Sequence, residues 1–331
     1  MSLPASGPHA PNPSTPPRPS GSVRRTSSID TTRPHGLEAD AVMDGRARDL
    51  ITRRDGSAMV AQEATLWARV GGLTRVLNEV RADPPRPALD ALVGAMVGPG
   101  FRGRADALVD EADRGTPLYL LLDDLPGAAL VSGYALLHAG AVGGRHDGYL
   151  DAAVDQCAGW AGDAGMMTFI RSEHRSPTPH GPLAPVLETP GDPLAWHVMA
   201  PLGPHAMRRC RRIDVARADD GLYGVDVWFR DSHTDGAGAE TVVHEYAVTA
   251  IVDGSSRTVR SIGAAADVLP WAECPAAVGS AARLAGHSLV DLRSWVRRTF
   301  IGTSTCTHLN DTLRGLADVG ALIDRLVAED D

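Results

Sequence analysis

The stretch RRIDVARADDGLYGVDVWFRDS, residues 211–232, is followed by VVHEYAVTAIV at 242–252. Both are rich in Val, Ile, Tyr and Trp and partly alternate apolar with polar residues, which is typical of β-strands. Asp-Gly at 253–254 follows where a hairpin turn belongs. The pattern then changes to helical spacing in PAAVGSAARLA, in LVDLRSWVRR, which Ser288 can cap, and from about Thr307 onward. This half of the chain is therefore predicted to be a small antiparallel sheet followed by helices.

The same order of residues occurs earlier in the chain. Ile29-Asp30 lies 184 positions before Ile213-Asp214, and Gly115-Thr116 lies 187 positions before Gly302-Thr303. An offset this nearly constant favours a duplication over coincidence in a sequence rich in Ala, Gly, Leu and Arg. We therefore predict an α+β fold of two pseudo-symmetric repeats, each a small antiparallel sheet followed by helices.

Composition divides the chain into four parts. Residues 1–22 contain seven prolines and no apolar run, which predicts a disordered tail. Residues 23–137 are the first, degenerate repeat, and residues 208–331 are the second repeat. Residues 138–207 join the two, with one predicted helix, GYLDAAVDQCAGWAG, and a long Pro/His-rich loop.

The basic residues exclude several classes of enzyme. All 32 of them are arginine, and the sequence contains no lysine. A Walker-type nucleotide site, a pyridoxal phosphate enzyme and a protein kinase each need a lysine, so none of these is expected.

The net charge and the apolar segments bear on partners and location. A formal charge of −9 does not favour nucleic acid. The most apolar stretch, residues 118–140, is broken by two aspartates and a proline, so no membrane partner is expected either. Four widely spaced cysteines are typical of a cytoplasmic protein. The expected partner is a small-molecule ligand, and the sequence indicates no oligomeric state.

Three reactive side chains stand in the second repeat alone. Cys274 precedes one predicted helix, and Cys306 and His308 stand at the start of another. The aligned positions of the first repeat hold Leu89, Tyr119 and Leu121. The fold therefore does not need the reactive groups, which favours a functional role for them.

The trio permits three interpretations. Cys274, Cys306 and His308 are ligands of the type that zinc or iron takes, with Asp311, Glu273 or His244 as a fourth. Without metal, Cys306 is a nucleophile whose pKa the helix dipole lowers, and His308 is its base. In the third interpretation the trio is only buried packing.

Two further features are candidates of lower rank. His244 lies on a predicted strand and is a possible acid, base or ligand, although strand histidines are more often structural. Arg211 and Arg212 lie in a run of arginines suited to a carboxylate or phosphate of the substrate. Internal partners such as Asp214 are the alternative.

The segment GTSTCTHLND, together with RRIDV, HEYAV and WAECP, resembles a bacterial family catalogued as domain of unknown function 2889, most closely its actinobacterial members. The resemblance includes RRTSSID, CAGWAG and DPLAWH, and it is therefore expected to cover nearly all of the chain past the tail. The family's Cys-Thr-His-Leu segment corresponds to residues 306–309, and its separate Cys-Pro to Cys274-Pro275. Thr305 stands where a glycine often precedes the cysteine. The resemblance supports the site and implies no particular reaction.

We therefore expect an enzyme acting on a small organic molecule, by metal-assisted or thiolate-based hydrolysis or lysis at Cys274, Cys306 and His308, with His244 as a further catalytic residue. The alternative is a non-catalytic metal- or ligand-binding protein in which the trio is a structural clip. A third possibility places the site in the histidine-rich joining segment.

Overall fold

A computed structural model of the protein describes residues 3–110, 113–141, 153–189 and 191–330. In this part of the chain one antiparallel sheet of eight strands has the order β4-β3-β2-β1-β5-β6-β7-β8. The strands are β1 (Ser22–Thr32), β2 (Ala41–Thr52), β3 (Ala58–Val70), β4 (Leu77–Asp83), β5 (Met207–Arg217), β6 (Leu222–Thr234), β7 (Glu240–Asp253) and β8 (Thr258–Val268). Strands β1 and β5 pair at the centre, and each half continues outward in chain order.

Helices cover one face of this sheet. The α-helices are α1 (Phe101–Leu108), α2 (Pro117–Val131), α3 (Gly133–His138), α4 (Gly165–Glu173), α5 (Leu289–Thr299), α6 (Thr307–Gly315) and α7 (Val319–Asp330). A 3-10 helix, Cys274–Leu284, follows β8, and a shorter one, Leu316–Asp318, joins α6 to α7. The predicted α+β class is confirmed in this mixed architecture.

Local sequence explains where the helices of the second half begin. The Ser288 side chain accepts a hydrogen bond from the Val290 amide and caps α5, as predicted. Helix α6 begins at Thr307, also as predicted. Two apolar cores lie under the helices, one around β2, β3 and α2 and the other around β6, β7 and α5 to α7.

The two central strands bury arginines where a core strand usually carries aliphatic residues. Arg24, Arg25, Arg209 and Arg211 are among the largest fully buried side chains. Each guanidinium faces an aspartate, because a charge can be buried only when it is paired and hydrogen-bonded. Polar strands can therefore form the middle of the sheet.

The predicted disordered tail is wrong for its described residues, 3–22. The Leu269 amide donates to Pro8 O at 2.9 Å, and the Ala10 amide donates to Asp267 O at 2.9 Å, so this segment runs along the end of β8. Arg24 Nη2 binds Pro16 O at 2.9 Å on the face of the sheet opposite the helices. Backbone carbonyls of a proline-rich segment accept hydrogen bonds as well as any others, and these order the tail.

The joining segment covers the same face. Leu187, Trp196 and Met199 pack against Cys210 and Trp228 there. The predicted helix at 148–162 lies partly outside the described residues, and its described part contains one α-helical residue, Ala153, and a short 3-10 helix, Ala158–Trp160.

Residues 117–138 form the one helical stretch in the described part of the chain that is long and apolar enough to span a membrane, and most of it is buried in the core.

Candidate active site

The site is built where β5, β6 and β7 pass under the start of α6. Arg209, Asp231 and His244 lie directly opposite one another on the three strands. The β6–β7 register shifts just after Asp231, which is a β-bulge of the kind that re-aims a side chain next to a functional site. His308, on the first turn of α6, completes the group from above.

Asp231 is the residue on which the other three converge. Its Oδ2 lies 2.9 Å from Nδ1 of His308 and 3.5 Å from Nδ1 of His244. Arg209 donates Nε to Oδ1 at 2.8 Å and Nη2 to Oδ2 at 3.0 Å. The carboxylate is completely buried, whereas the side chains of His308 and His244 keep 12% and 11% of their exposure. Solvent therefore reaches the imidazoles and not the carboxylate.

The two imidazole rings are stacked. Their centroids are 3.6 Å apart and their planes differ by 17°. Since each Nδ1 faces Asp231, each Nε2 points away from the carboxylate. No hydrogen bond to either Nε2 occurs among the described residues, so both are available to a ligand.

The charges around Asp231 keep it ionised. Burial alone would raise its pKa, but the Arg209 guanidinium, the nearby His244 ring and the hydrogen bond from His308 outweigh burial and hold the pKa well below its usual range. Arg209 in turn binds Asp311 through Nη1 at 2.6 Å. Burial and the neighbouring His308 lower the pKa of His244 to about 4, so this ring is neutral at pH 7.

Helix α2 approaches this ion pair closely. A Cβ added at Gly127 would collide with the Arg209 guanidinium and the Asp311 carboxylate. Glycine is therefore required where α2 crosses the site.

The predicted cysteines lie in a separate, buried environment. Cys274 and Cys306 are 7% and 5% exposed and belong to the apolar core around β7. Burial raises the pKa of Cys306, and the nearby Tyr246 hydroxyl and the amides of Leu309 and His308 offset this only in part. The expectation that the helix start lowers the Cys306 pKa is therefore wrong, because desolvation of the thiolate outweighs the dipole.

The predicted metal ligands are not brought together. Among the described residues, the one group of three or more His, Cys, Asp or Glu ligand atoms lying within 4.8 Å of one another is Asp231, His244 and His308. His308 thus belongs with His244 and an aspartate, and not with Cys274 and Cys306.

The predicted substrate arginines are used internally. Arg211 Nη2 binds Asp124 at 2.9 Å and the Asp311 carbonyl at 3.1 Å, and Arg212 pairs with Asp214 and Asp226. Both are buried. Aspartates of the protein therefore already pair with both guanidinium groups, which does not favour a role in substrate binding.

The first half of the sheet holds the same ion pair without the histidines. Arg25 lies opposite Asp49 on β1 and β2 and binds it at 2.6 and 2.7 Å. Gln62 stands opposite Asp49 on β3, again beside a register shift. Arg325 of α7 reaches Asp49 Oδ2 at 3.0 Å, where His308 reaches Asp231 in the other half. Asp49 therefore pairs with two guanidinium groups and has a structural role.

Sequence reasoning found His308 and His244 and missed Arg209 and Asp231. Asp231 stands within the quoted stretch 211–232, and Arg209 belongs to the run of arginines just before it, but the pairing of a buried arginine with an aspartate has no local signal in a single sequence. The sequence alignment of the two halves could have pointed to them, because it places Arg25 at the position of Arg209.

Residues 207–321 match the family model described as "Protein of unknown function (DUF2889)". The DUF2889 region contains Arg209, Asp231, His244 and His308, and Asp49 lies outside it. Neither a curated protein nor a solved structure matches the chain.

Proposed function

We propose that the protein is an enzyme that hydrolyses or cleaves a small organic molecule, with His308 as general acid and base and Asp231 as the group that orients it. The observation that carries the proposal is the 2.9 Å contact between His308 Nδ1 and Asp231 Oδ2. When Nδ1 donates to the carboxylate, Nε2 carries the lone pair and can take a proton from water or substrate.

The surroundings of Asp231 support this role. Its carboxylate stays ionised beside Arg209, so it stabilises an imidazolium at His308 without taking the proton itself. His244 is neutral and stacked on His308, and its free Nε2 supplies a second contact for substrate. His308 and His244 are thus the proposed catalytic residues, and the buried Cys306 is not.

A comparison of the two halves also supports the proposal. We infer that they arose by duplication, because each contains an Arg–Asp pair at the same register and a bulge beside it. The half that carries Gln62 folds without histidines at this place. The histidines of the other half are therefore in excess of what the sheet needs.

The environment of the cysteines fits a cytoplasmic location. All four are free thiols. We therefore propose a cytoplasmic location and a small-molecule ligand.

The test is a comparison of variants on a panel of chromogenic esters, amides and phosphoesters and of acids prone to carbon–carbon cleavage. Wild-type protein should turn over one class, and His308→Gln should reduce that kcat by about 10²–10⁴-fold. Full activity in His308→Gln would overturn the proposal. Arg325→Gln is the control, because Arg325 contacts Asp49 as His308 contacts Asp231, and it should leave kcat unchanged.

A metal-dependent enzyme is the second candidate, favoured by the grouping of Asp231, His244 and His308. This set is of the two-histidine, one-carboxylate type that binds iron or zinc.

Two features of the group oppose metal binding. Arg209 Nη2 lies 3.0 Å from Asp231 Oδ2 and 3.2 Å from His308 Nδ1, so a fixed cation already stands between the ligands. In addition, the stacked rings of His244 and His308 direct their lone pairs nearly parallel to each other, so the lone pairs do not converge on one ion. Elemental analysis of tag-free protein decides: a metal retained by wild type and lost in His308→Gln would favour this candidate.

A further inference from the structure

Three cysteines lie in one region of the structure, where the joining segment meets the start of α6. Cys157 precedes the short 3-10 helix Ala158–Trp160, Cys306 precedes α6, and Cys274 begins the 3-10 helix that follows β8. A Cβ added at Gly159 would lie 2.5 Å from Cys274 Sγ, so the joining segment packs directly on the second half of the chain. All three cysteines are free thiols, and the proposed active site uses none of them.

The backbones of Cys157 and Cys306 lie side by side. The Ala158 amide, which follows Cys157, donates at 2.9 Å to the carbonyl of Thr305, which precedes Cys306. Both cysteines have an extended backbone, with φ and ψ of −157° and 172° at Cys157 and of −132° and 133° at Cys306. A hydrogen bond placed in this way sets the two flanking Cα atoms about 4.5–6.5 Å apart. Disulfides span about 4.4–6.8 Å between Cα atoms, so this pair can be joined while the two segments stay in place.

The thiols of the three cysteines lie near the hydroxyl of Tyr246. Burial raises the pKa of this hydroxyl well above its usual range, and the thiols of Cys306, Cys274 and Cys157 raise it further. Burial likewise raises the pKa of Cys157 to about 12, with a smaller contribution from Cys306. The side chains of Cys157 and Cys306 are therefore close enough to influence each other, and both are protonated at pH 7.

Exposure distinguishes Cys157 from the other two cysteines. Its side chain is half-buried, whereas Cys274 and Cys306 are 7% and 5% exposed. A small oxidant in solution therefore reaches Cys157 first. Cys306 is the thiol whose backbone is hydrogen-bonded beside it, so Cys306 is the partner placed to attack an oxidised Cys157 sulfur.

We propose that hydrogen peroxide converts Cys157 and Cys306 into a disulfide that fastens the joining segment to the start of α6. In the first step the Cys157 thiolate attacks a peroxide oxygen: an S–O bond forms, the O–O bond breaks, and the leaving hydroxide takes a proton to become water. In the second step the Cys306 sulfur attacks the sulfenic sulfur of Cys157. The S–S bond forms, the S–O bond breaks, and a second water leaves. Two thiols are thereby oxidised and one peroxide is reduced.

The disulfide should stabilise the folded protein. Cys157 and Cys306 are about 150 positions apart in the chain, and a bond that closes so long a loop restricts the unfolded chain strongly. We therefore expect oxidation to raise the thermal midpoint of the protein by about 5–10 °C.

The experiment is mass spectrometry of tryptic peptides from the full chain, treated with hydrogen peroxide, blocked with N-ethylmaleimide in urea and digested without reductant. Trypsin cleaves after arginine and so places the four cysteines on separate peptides. Treatment at about pH 8.5 increases the small thiolate fraction of Cys157. The peptides 146–171 and 299–314 should be linked in the oxidised protein and separate after reduction with dithiothreitol.

Cys274→Ala is the matched control, because Cys274 is the third thiol of the region, and this variant should form the link as wild type does. Cys157→Ser should abolish both the link and the rise in thermal midpoint. Absence of the link in oxidised wild type, a link from Cys157 to Cys274 in its place, or an equal rise in the thermal midpoint of Cys157→Ser would each overturn the proposal. The turnover panel is a separate measurement, so the two proposals fail independently.

Discussion

Arg209 and Asp231 lie directly opposite each other on β5 and β6 and are joined by two parallel hydrogen bonds of 2.8 and 3.0 Å. The same carboxylate is hydrogen-bonded to Nδ1 of His308, so one aspartate both forms a structural ion pair and orients an imidazole. Its counterpart in the other half, Asp49, does only the first. Variants of the two aspartates can therefore distinguish an effect on protein stability from an effect on turnover.

Asp231→Asn and Asp49→Asn form a matched pair of variants. Each removes one of the two aspartates that pair with a buried guanidinium, since Asp311 remains beside Arg209 and Asp318 beside Arg25, so each should lower the free energy of unfolding by up to about 3–5 kcal/mol. Urea denaturation measures both. Only Asp231→Asn should also reduce turnover, because only Asp231 orients a histidine. Equal losses of turnover in the two folded variants would contradict the assignment.

His244→Gln replaces a histidine of the candidate site with the residue found opposite Asp49, which is Gln62. The amide can donate to Asp231, so the thermal midpoint should change by only a few degrees. Turnover should fall, because the amide is no proton acceptor and does not stack as an imidazole does. Unchanged turnover would remove His244 from the site and leave His308 alone.

Gly127→Ala tests the close approach of α2 to the ion pair. The new Cβ would collide with Arg209 and Asp311, and the required shift should cost about 1–3 kcal/mol. Gly103→Ala in α1 is the control, since a Cβ there meets no atom within 4 Å. Because alanine favours helix, the control should be stabilised by about 0.5–1 kcal/mol. Chemical denaturation compares the two.

His197 should make folding pH-dependent. It is buried between Thr26 and Ser28, whose hydroxyls lie 2.9 and 2.8 Å from its ring nitrogens. Burial, together with the charges of Arg48 and Arg208, lowers its pKa to about 3. Below pH 6.5, the ordinary pKa of histidine, His197 is protonated in the unfolded chain but stays neutral in the folded protein. Stability from this group is therefore complete above pH 6.5 and is lost as the pH falls toward 3.

The slope that His197 contributes should approach about 1.4 kcal/mol per pH unit within this window. His197→Asn should remove that part of the slope between pH 6 and 4, as followed by denaturation at several pH values. If the variant keeps the wild-type slope, other groups account for it.

Alkylation tests the state of the cysteines. Cys306 and Cys274 should react with iodoacetamide at pH 7.5 far more slowly in the folded protein than in urea, because both thiols are buried and burial raises the pKa of each. Mass spectrometry of peptides measures each site. Faster labelling of Cys306 in the folded protein would restore the thiolate mechanism.

Sequence patterns predicted the elements that depend on local signals. The strands of the second half, the Ser288 cap and the helix start at Thr307 each follow from residues within a few positions of one another. His308 and His244 were found because reactive types stand out. The β1–β5 pairing, the burial of Arg209 and the grouping around Asp231 depend on contacts between distant residues, and no local pattern carries them.

The cysteines show the opposite failure. Cys306 has the sequence position of an activated thiol at a helix start, where the helix dipole alone would lower its pKa. Packing against Tyr246 and the core decides its ionisation, and that packing comes from β7, some 60 positions earlier in the chain.

The central pairing of β1 with β5 has a consequence for synthesis of the chain. Strand β1 ends at Thr32 and its partner begins at Met207, so at about 5–20 residues per second the ribosome needs about 10–35 s to supply it. During that time the nascent first half has an unpaired strand edge, which is a template for aggregation. The strand SVRRTSSIDTT is polar and carries two arginines, a composition that keeps such an edge soluble while it waits.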